Sequence, residues 1–218
     1  MRELFSAMAF VLTAPILEAM QKHALALGLT RGTLLPEQFT YFMQQDNLYR
    51  VTRARALALA GAKMPREEDM ELVLELSRQT LLIGQDIRRL FFKQYRIQPA
   101  EEKGPACMAC SSHLLARASL GTPAEGMAAL LPRFWLYREI GARMRKHAAP
   151  NGPYVKWIES YSSKEYSLLV TKAVDLTDRL AGDAGEDERD RMFAAFVYAS
   201  RLECGFWDES AHAASWSA

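Results

Sequence analysis

"AALLPRFWLYREIG", residues 128–141, decides how this chain is read. The run has the apolar character of a buried helix, yet it contains a proline and an arginine. In a helix interior Pro132 removes a backbone donor and clashes with the preceding turn, at a cost of about 3 kcal/mol. Arg133 sets an obligatory cation among Ala129, Leu130, Leu136 and Tyr137, its neighbours three and four residues away. A cation in that setting needs a partner.

Outward from this stretch, almost everything reads as helix. Ala, Leu, Met, Glu, Lys, Gln and Arg dominate, and no hairpin dipeptide separates alternating β-branched runs. Thr13 is placed to cap a helix with Pro15 in its first turn, running to about Leu29. A second helix starts near Pro36 and ends towards Gly61. Arg66 to Tyr95 supports one long helix, straight or bent. Pro105 opens another that stops at Gly121. Thr122-Pro-Ala-Glu125 is a capping box with proline at the first helical position, and it launches the helix that carries Arg133. Gly152-Pro153 sets off "YVKWIESYSS", Ser162 with Glu165 caps the next segment, and "AGDAGEDERDR" reads as a charged loop leading into a last helix. Without an internal repeat or long linker, the expectation is an all-α bundle of about eight helices, in a single domain over residues 1–218.

The composition is that of an ordinary globular chain. Half of the 218 residues are hydrophobic, and the net charge of +1 gives no basic stripe for nucleic acid or for a membrane surface. "MRELFSAMAFVLTAP" has the outline of a secretory signal, but Glu3 breaks its basic end, so it is read as a helix entering the fold. No apolar run reaches the roughly 20 residues needed to span a bilayer. Three cysteines make no disulfide framework and point to a reducing cytoplasm.

Several residues invite chemistry. Cys107-x-x-Cys110-x-x-His113 has zinc-ligand types, but a structural site needs four ligands, and one helix spreads these three around its axis. Glu209-x-x-His212 is half of a di-iron pattern with no second half. The expectation is therefore no metal and no cofactor. Glu203 lies in "RLECGFWDE" among Ala199, Ser200, Phe206 and Trp207. A carboxylate there is paired with an arginine, exposed, or protonated as a general acid or base. Asp46 sits between Phe42, Met43 and Tyr49, with a surface pair to Arg50 one turn on as the plain alternative. Tyr49, Tyr137, Tyr154 and Tyr161 are spread over several helices, as core or as the walls of a pocket. Phenols converging with two carboxylates suit a flat, hydrogen-bonding heterocycle.

Four segments in order, "GTLLPEQFTYFMQQDNLYR", "SSHLLARASLGTPAEGMAALLPRFWLYREIG", "YVKWIESYSS" and "RLECGFWDESA", resemble the thiaminase II (TenA-type) family over nearly the whole chain. The resemblance implies the haem-oxygenase-like helical fold. It also implies a pocket for the aminopyrimidine half of thiamin or its degradation products, hydrolysis at the exocyclic methylene carbon, and a homo-oligomer, tetramer or dimer. By motif position, Asp46 resembles the acid on the pyrimidine edge, with Tyr49 beside it. Tyr137 and Tyr161 resemble the pocket tyrosines, Phe206 the ring that stacks on the heterocycle, and Glu203 the catalytic carboxylate. Two positions depart. Arg133 stands where the family's usual nucleophilic cysteine follows the proline, and Cys110 replaces a pocket tyrosine. An arginine cannot be that nucleophile. The family has a cysteine-lacking branch associated with salvage of aminopyrimidine amines and formamides, in which water assisted by Glu203 is the remaining route. Arg133 either pairs with Asp46 or Glu203, or offers its fork to an anionic ligand of a different kind.

Overall fold

The computed structural model describes residues 3–213, and the described residues form nine α-helices and no strand. They are α1 (Phe5–Lys22), α2 (Ala24–Arg31), α3 (Pro36–Gly61), α4 (Glu67–Ile87), α5 (Pro105–Leu120), α6 (Pro123–His147), α7 (Val155–Ser162), α8 (Lys164–Asp183) and α9 (Glu186–His212). Among the described residues, no helix is long and apolar enough to cross a membrane.

The centre of the bundle is α6. Every residue from 124 to 137 is buried, so this part of the helix is covered on all sides rather than along one stripe. Its neighbours are α9, α8, α7, α5 and α3, while α3 packs in turn on α4 and α5. The helix runs unbroken through Pro132. Packing around α6 therefore outweighs the lost backbone bond, as expected where tertiary contacts carry most helical stability. At its start, Thr122 Oγ1 accepts from the Glu125 amide at 3.2 Å. The Glu125 carboxylate turns instead to Arg191 at 2.7 Å, so only half of the expected capping box forms.

Three boundaries differ from those read in the sequence. Thr13 is not a cap: its hydroxyl donates to the Ala9 carbonyl at 2.7 Å inside α1, which continues through Pro15. Phe5 and Ala9 are fully buried, and Phe5 stacks on Phe193 of α9 at 4.5 Å, which holds α1 in place upstream of the proline. The break comes at His23, whose extended backbone ends α1 and whose ring accepts from the Leu25 amide to start α2. This division accounts for nine helices where about eight were expected. The long Arg66–Tyr95 segment holds α4 followed by one π turn, Arg88–Phe92. The cap of α8 is Ser163, accepting from the Tyr166 amide at 3.0 Å, one residue beyond the expected Ser162.

Close approach of α6 and α7 depends on Gly141. A Cβ there would lie 2.9 Å from Tyr161 Cβ and 3.1 Å from the Tyr161 backbone carbonyl. Backbone cannot move aside as a side chain can, so overpacking applies in full. Gly141→Ala is expected to lower stability by about 1–3 kcal/mol, read as a reduced midpoint in urea at unchanged slope.

Candidate active site

Three helices meet at one buried point, each through a motif of its own. From α3 come Asp46, Tyr49 and Arg50, from α6 Arg133 and Tyr137, and from α9 Glu203 and Phe206. The spacing Asp46/Arg50 is a helical i,i+4 pair, but it is not the surface pair that the sequence suggested as the plain alternative. Both residues are buried, with Asp46 only 1 % exposed. Arg50 reaches its place because Gly84 of α4 has no side chain, since a Cβ there would meet Arg50 Cδ at 2.6 Å.

Arg133 answers the question raised by its sequence context. It is 1 % exposed and its guanidinium bridges both acids. Nη1 donates to Glu203 Oε2 at 3.1 Å, and Nη2 donates to Asp46 Oδ1. The second oxygen of each carboxylate is also taken. Arg50 Nη2 donates to Asp46 Oδ2, and the Tyr49 hydroxyl donates to Glu203 Oε1 at 2.7 Å. Beneath the guanidinium lies the ring of Tyr137, with Cζ 3.5 Å from its centroid, while Tyr49 and Phe206 stand at 5.5 and 5.9 Å. A planar cation is thus held at its edge by two carboxylates and on its face by a phenol ring, which combines charge-assisted hydrogen bonding with cation–π contact.

The other aromatic residues tighten this arrangement. Trp207 Nε1 donates to the Tyr137 hydroxyl at 2.5 Å. Tyr161 lies against Tyr137 at 5.2 Å and against Trp157 at 4.8 Å. Tyr49 packs on Phe206 at 5.6 Å. Three buried atoms in the group have no hydrogen-bond partner, Nε of Arg133, the hydroxyl of Tyr161 and Nε1 of Trp157.

The electrostatics follow from burial set against these neighbours. Burial raises the pKa of Asp46, but the Arg50, Arg133 and Arg53 guanidiniums outweigh it and hold the carboxyl below its ordinary range. For Arg133, burial opposes the charge, and Tyr137, Asp46 and Glu203 more than offset it, so the cation is retained. Burial and then Glu203 push the Tyr49 phenol far up, so it stays protonated and donates. Cys110 is raised likewise, by burial and by Glu203, and its thiol donates to the Leu202 carbonyl at 3.4 Å. A protonated, hydrogen-bonded thiol is a poor stand-in for a nucleophilic thiolate.

All of the residues singled out by motif position converge: Asp46, Tyr49, Tyr137, Tyr161, Glu203 and Phe206 surround Arg133, and Cys110 bonds the residue next to Glu203. The Cys107, Cys110 and His113 side chains go to three different carbonyls, those of Gln45, Leu202 and Ala195. Glu209 binds the Tyr41 hydroxyl at 2.9 Å and the Ala106 amide at 2.5 Å, tying α9 to the start of α5. Sequence reasoning missed Arg53 and Tyr166. Arg53 lies over Phe134 at 5.4 Å, and the Tyr166 hydroxyl donates to the Phe134 carbonyl at 3.1 Å beside Arg133. The buried setting of Arg53, three residues after Arg50 on α3, had no signal of its own. A surface cleft of about 540 Å³ between α4, α7 and α8 includes Tyr166 in its lining but none of the site residues predicted from sequence.

The all-helical bundle defines a class by its architecture, that of the haem-oxygenase-like fold. The same architecture occurs in a Shewanella denitrificans domain described as having a heme oxygenase-like fold, at TM-score 0.57 and 12% identity over 94% of this chain and 88% of that one. Within that class the chain belongs to the TENA/THI-4/PQQC family, whose model matches residues 13–213. An aminopyrimidine aminohydrolase of Halalkalibacterium halodurans is 30% identical over 98% of each chain. One from Bacillus subtilis is 28% identical over 89% of this chain and 84% of its own. Among solved structures, a TenA homologue from P. horikoshii superposes at TM-score 0.87 with 27% identity, covering 97% of this chain and all of that one.

Because the Asp46 pKa is depressed in the folded state, its contribution to stability is present above the unfolded value of about 4. That contribution is lost as pH falls through the folded value. Asp46→Asn is expected to cost about 3–5 kcal/mol at neutral pH, by stranding the buried Arg50 guanidinium and leaving Arg133 with Glu203 alone. It should also flatten the acid side of the stability–pH profile, measured by urea unfolding at stepped pH.

Proposed function

We propose that this chain binds aminopyrimidines of the thiamin salvage type and hydrolyses the bond between the exocyclic methylene carbon and its amine, without a cysteine nucleophile. One observation carries the reading. Asp46 and Glu203 hold the N–C–N edge of a planar cation while Tyr137 supports its face. A protonated aminopyrimidine presents the same edge and the same faces. The relatives described as aminopyrimidine aminohydrolases support the reaction class.

In this reading the ring displaces the Arg133 guanidinium, so that Asp46 takes the amino edge and Glu203, held by Tyr49, hydrogen-bonds a protonated ring nitrogen. Drawing electrons into the ring leaves the methylene carbon electrophilic. Water oxygen forms the new C–O bond, the C–N bond breaks with its electron pair on nitrogen, and the departing amine takes the proton that water gives up. General acid–base assistance of this kind supplies about 10²–10⁴-fold. The alternative reading, a different, anionic ligand on the Arg133 fork, is disfavoured because both terminal nitrogens already donate to carboxylates of the same chain, which a competing anion would face.

Ammonia release from an aminomethyl-substituted aminopyrimidine tests the assignment. The expected result is turnover by the native chain that falls at least about 100-fold in Glu203→Gln with the melting transition retained. Absence of turnover, or an unaffected variant, overturns it.

The resemblance further supports a homo-oligomer, tetramer or dimer. Exposed Val11, Leu12, Leu120 and Leu168 are apolar surface of the sort that subunits cover. Light scattering on the purified chain is expected to give two or four chain masses, and a single chain mass rejects it. Three free cysteines suit the reducing cytoplasm in which such salvage would run.

A further inference from the structure

We propose that Arg133 is a tethered occupant of the ring subsite, so that the pocket of this chain is built for planar cations with an N–C–N amidinium edge and is closed by its own side chain. The proposal rests on the reading of Asp46 and Glu203 as the ring's binding groups, and it names what now fills them.

The guanidinium reproduces the features of a protonated aminopyrimidine edge one by one. It is flat, its charge is delocalised over an N–C–N unit, and two of its nitrogens donate in the plane. Each terminal nitrogen meets a carboxylate from a different helix, at Glu203 Oε2 and Asp46 Oδ1. Its face lies on Tyr137, with Tyr49 and Phe206 at the distances of a surrounding aromatic wall. A structural ion pair requires only one of these contacts, and the structure supplies all of them at once.

The fit is also incomplete in an informative way. Nε of Arg133 and the hydroxyl of Tyr161 are buried without partners. Buried polar groups are nearly always satisfied, so each orphan is a penalty that the occupied site carries. A side chain arriving from α6 meets both acids but leaves the α7 wall unserved, whereas a free ligand is not bound to that direction of approach. Together with Arg50, Arg133 also neutralises two carboxylates that would otherwise face each other across a buried site, which gives the occupied state its stability.

A tethered occupant competes with any free ligand at high effective concentration. Removing it exposes a cavity with the shape and charge of the group removed. Isothermal titration of Arg133→Ala with methylguanidinium chloride tests this. Saturable binding is expected, at least about tenfold tighter than any response of the native chain, and lost when Asp46→Asn is added. Equal titration of native chain and variant overturns the proposal, and so does binding that survives Asp46→Asn. Should Arg133→Ala fail to fold by itself, recovery of a cooperative melt on refolding with methylguanidinium supports the proposal, and failure to recover overturns it. The titration requires no turnover. The hydrolase reading fails on absence of ammonia release, and the tethered-occupant reading fails on absence of guanidinium binding, so the two are separable.

Discussion

Everything around the site is organised by one guanidinium between two carboxylates. Arg133, Asp46 and Glu203 come from α6, α3 and α9, and none of the three is tolerable alone in a core that leaves each of them 1 % exposed. Removing a charge from water costs several kcal/mol per ion, which a pair recovers only with good geometry and with its remaining donors and acceptors satisfied. Here all four carboxylate oxygens have donors, two of them from Arg133 and the others from Arg50 and Tyr49. The bundle therefore has a polar knot at its centre whose members fix the relative placement of three helices.

That knot explains features that look unrelated along the chain. Gly84 is small so that Arg50 can pass α4 and reach Asp46. Trp207 is oriented by the Tyr137 hydroxyl, and Tyr137 in turn carries the cation. Cys110 packs as a protonated thiol against the α9 backbone one residue from Glu203. The same helices that make the fold make the site, so changes to one cannot be separated from changes to the other.

Much of this was legible before any coordinates. Pro36, Gly61, Pro105 and the Thr122-Pro123 start are local signals, and the helices begin or end at or next to them. The motif order located Asp46, Tyr49, Tyr137, Tyr161, Glu203 and Phe206, and the fold brings them together. The errors arose where tertiary packing overrode local preference. Pro15 belongs in a first turn by propensity, yet burial of Phe5 and Ala9 extends α1 across it. His23 gave no cap signal, although its ring caps α2. The direction of the Arg133 side chain was open among several partners, because a sequence states that a charge needs a counter-charge without saying which one it finds. The burial of Arg50 and Arg53 was hidden for a related reason: α3 presents charged residues to the interior, and hydrophobic patterning carries no record of that.

The all-round burial of residues 124–137 in α6 has a consequence in time. A helix covered on every face is held by its packing, as protein interiors are dense and poorly compressible. Motion that uncovers the acids must then come from side chains and from separation of whole neighbouring helices, processes on the microsecond-to-millisecond scale or slower. Association at such a site is paced by how often the protein opens, and beyond some concentration additional ligand in solution no longer hastens it.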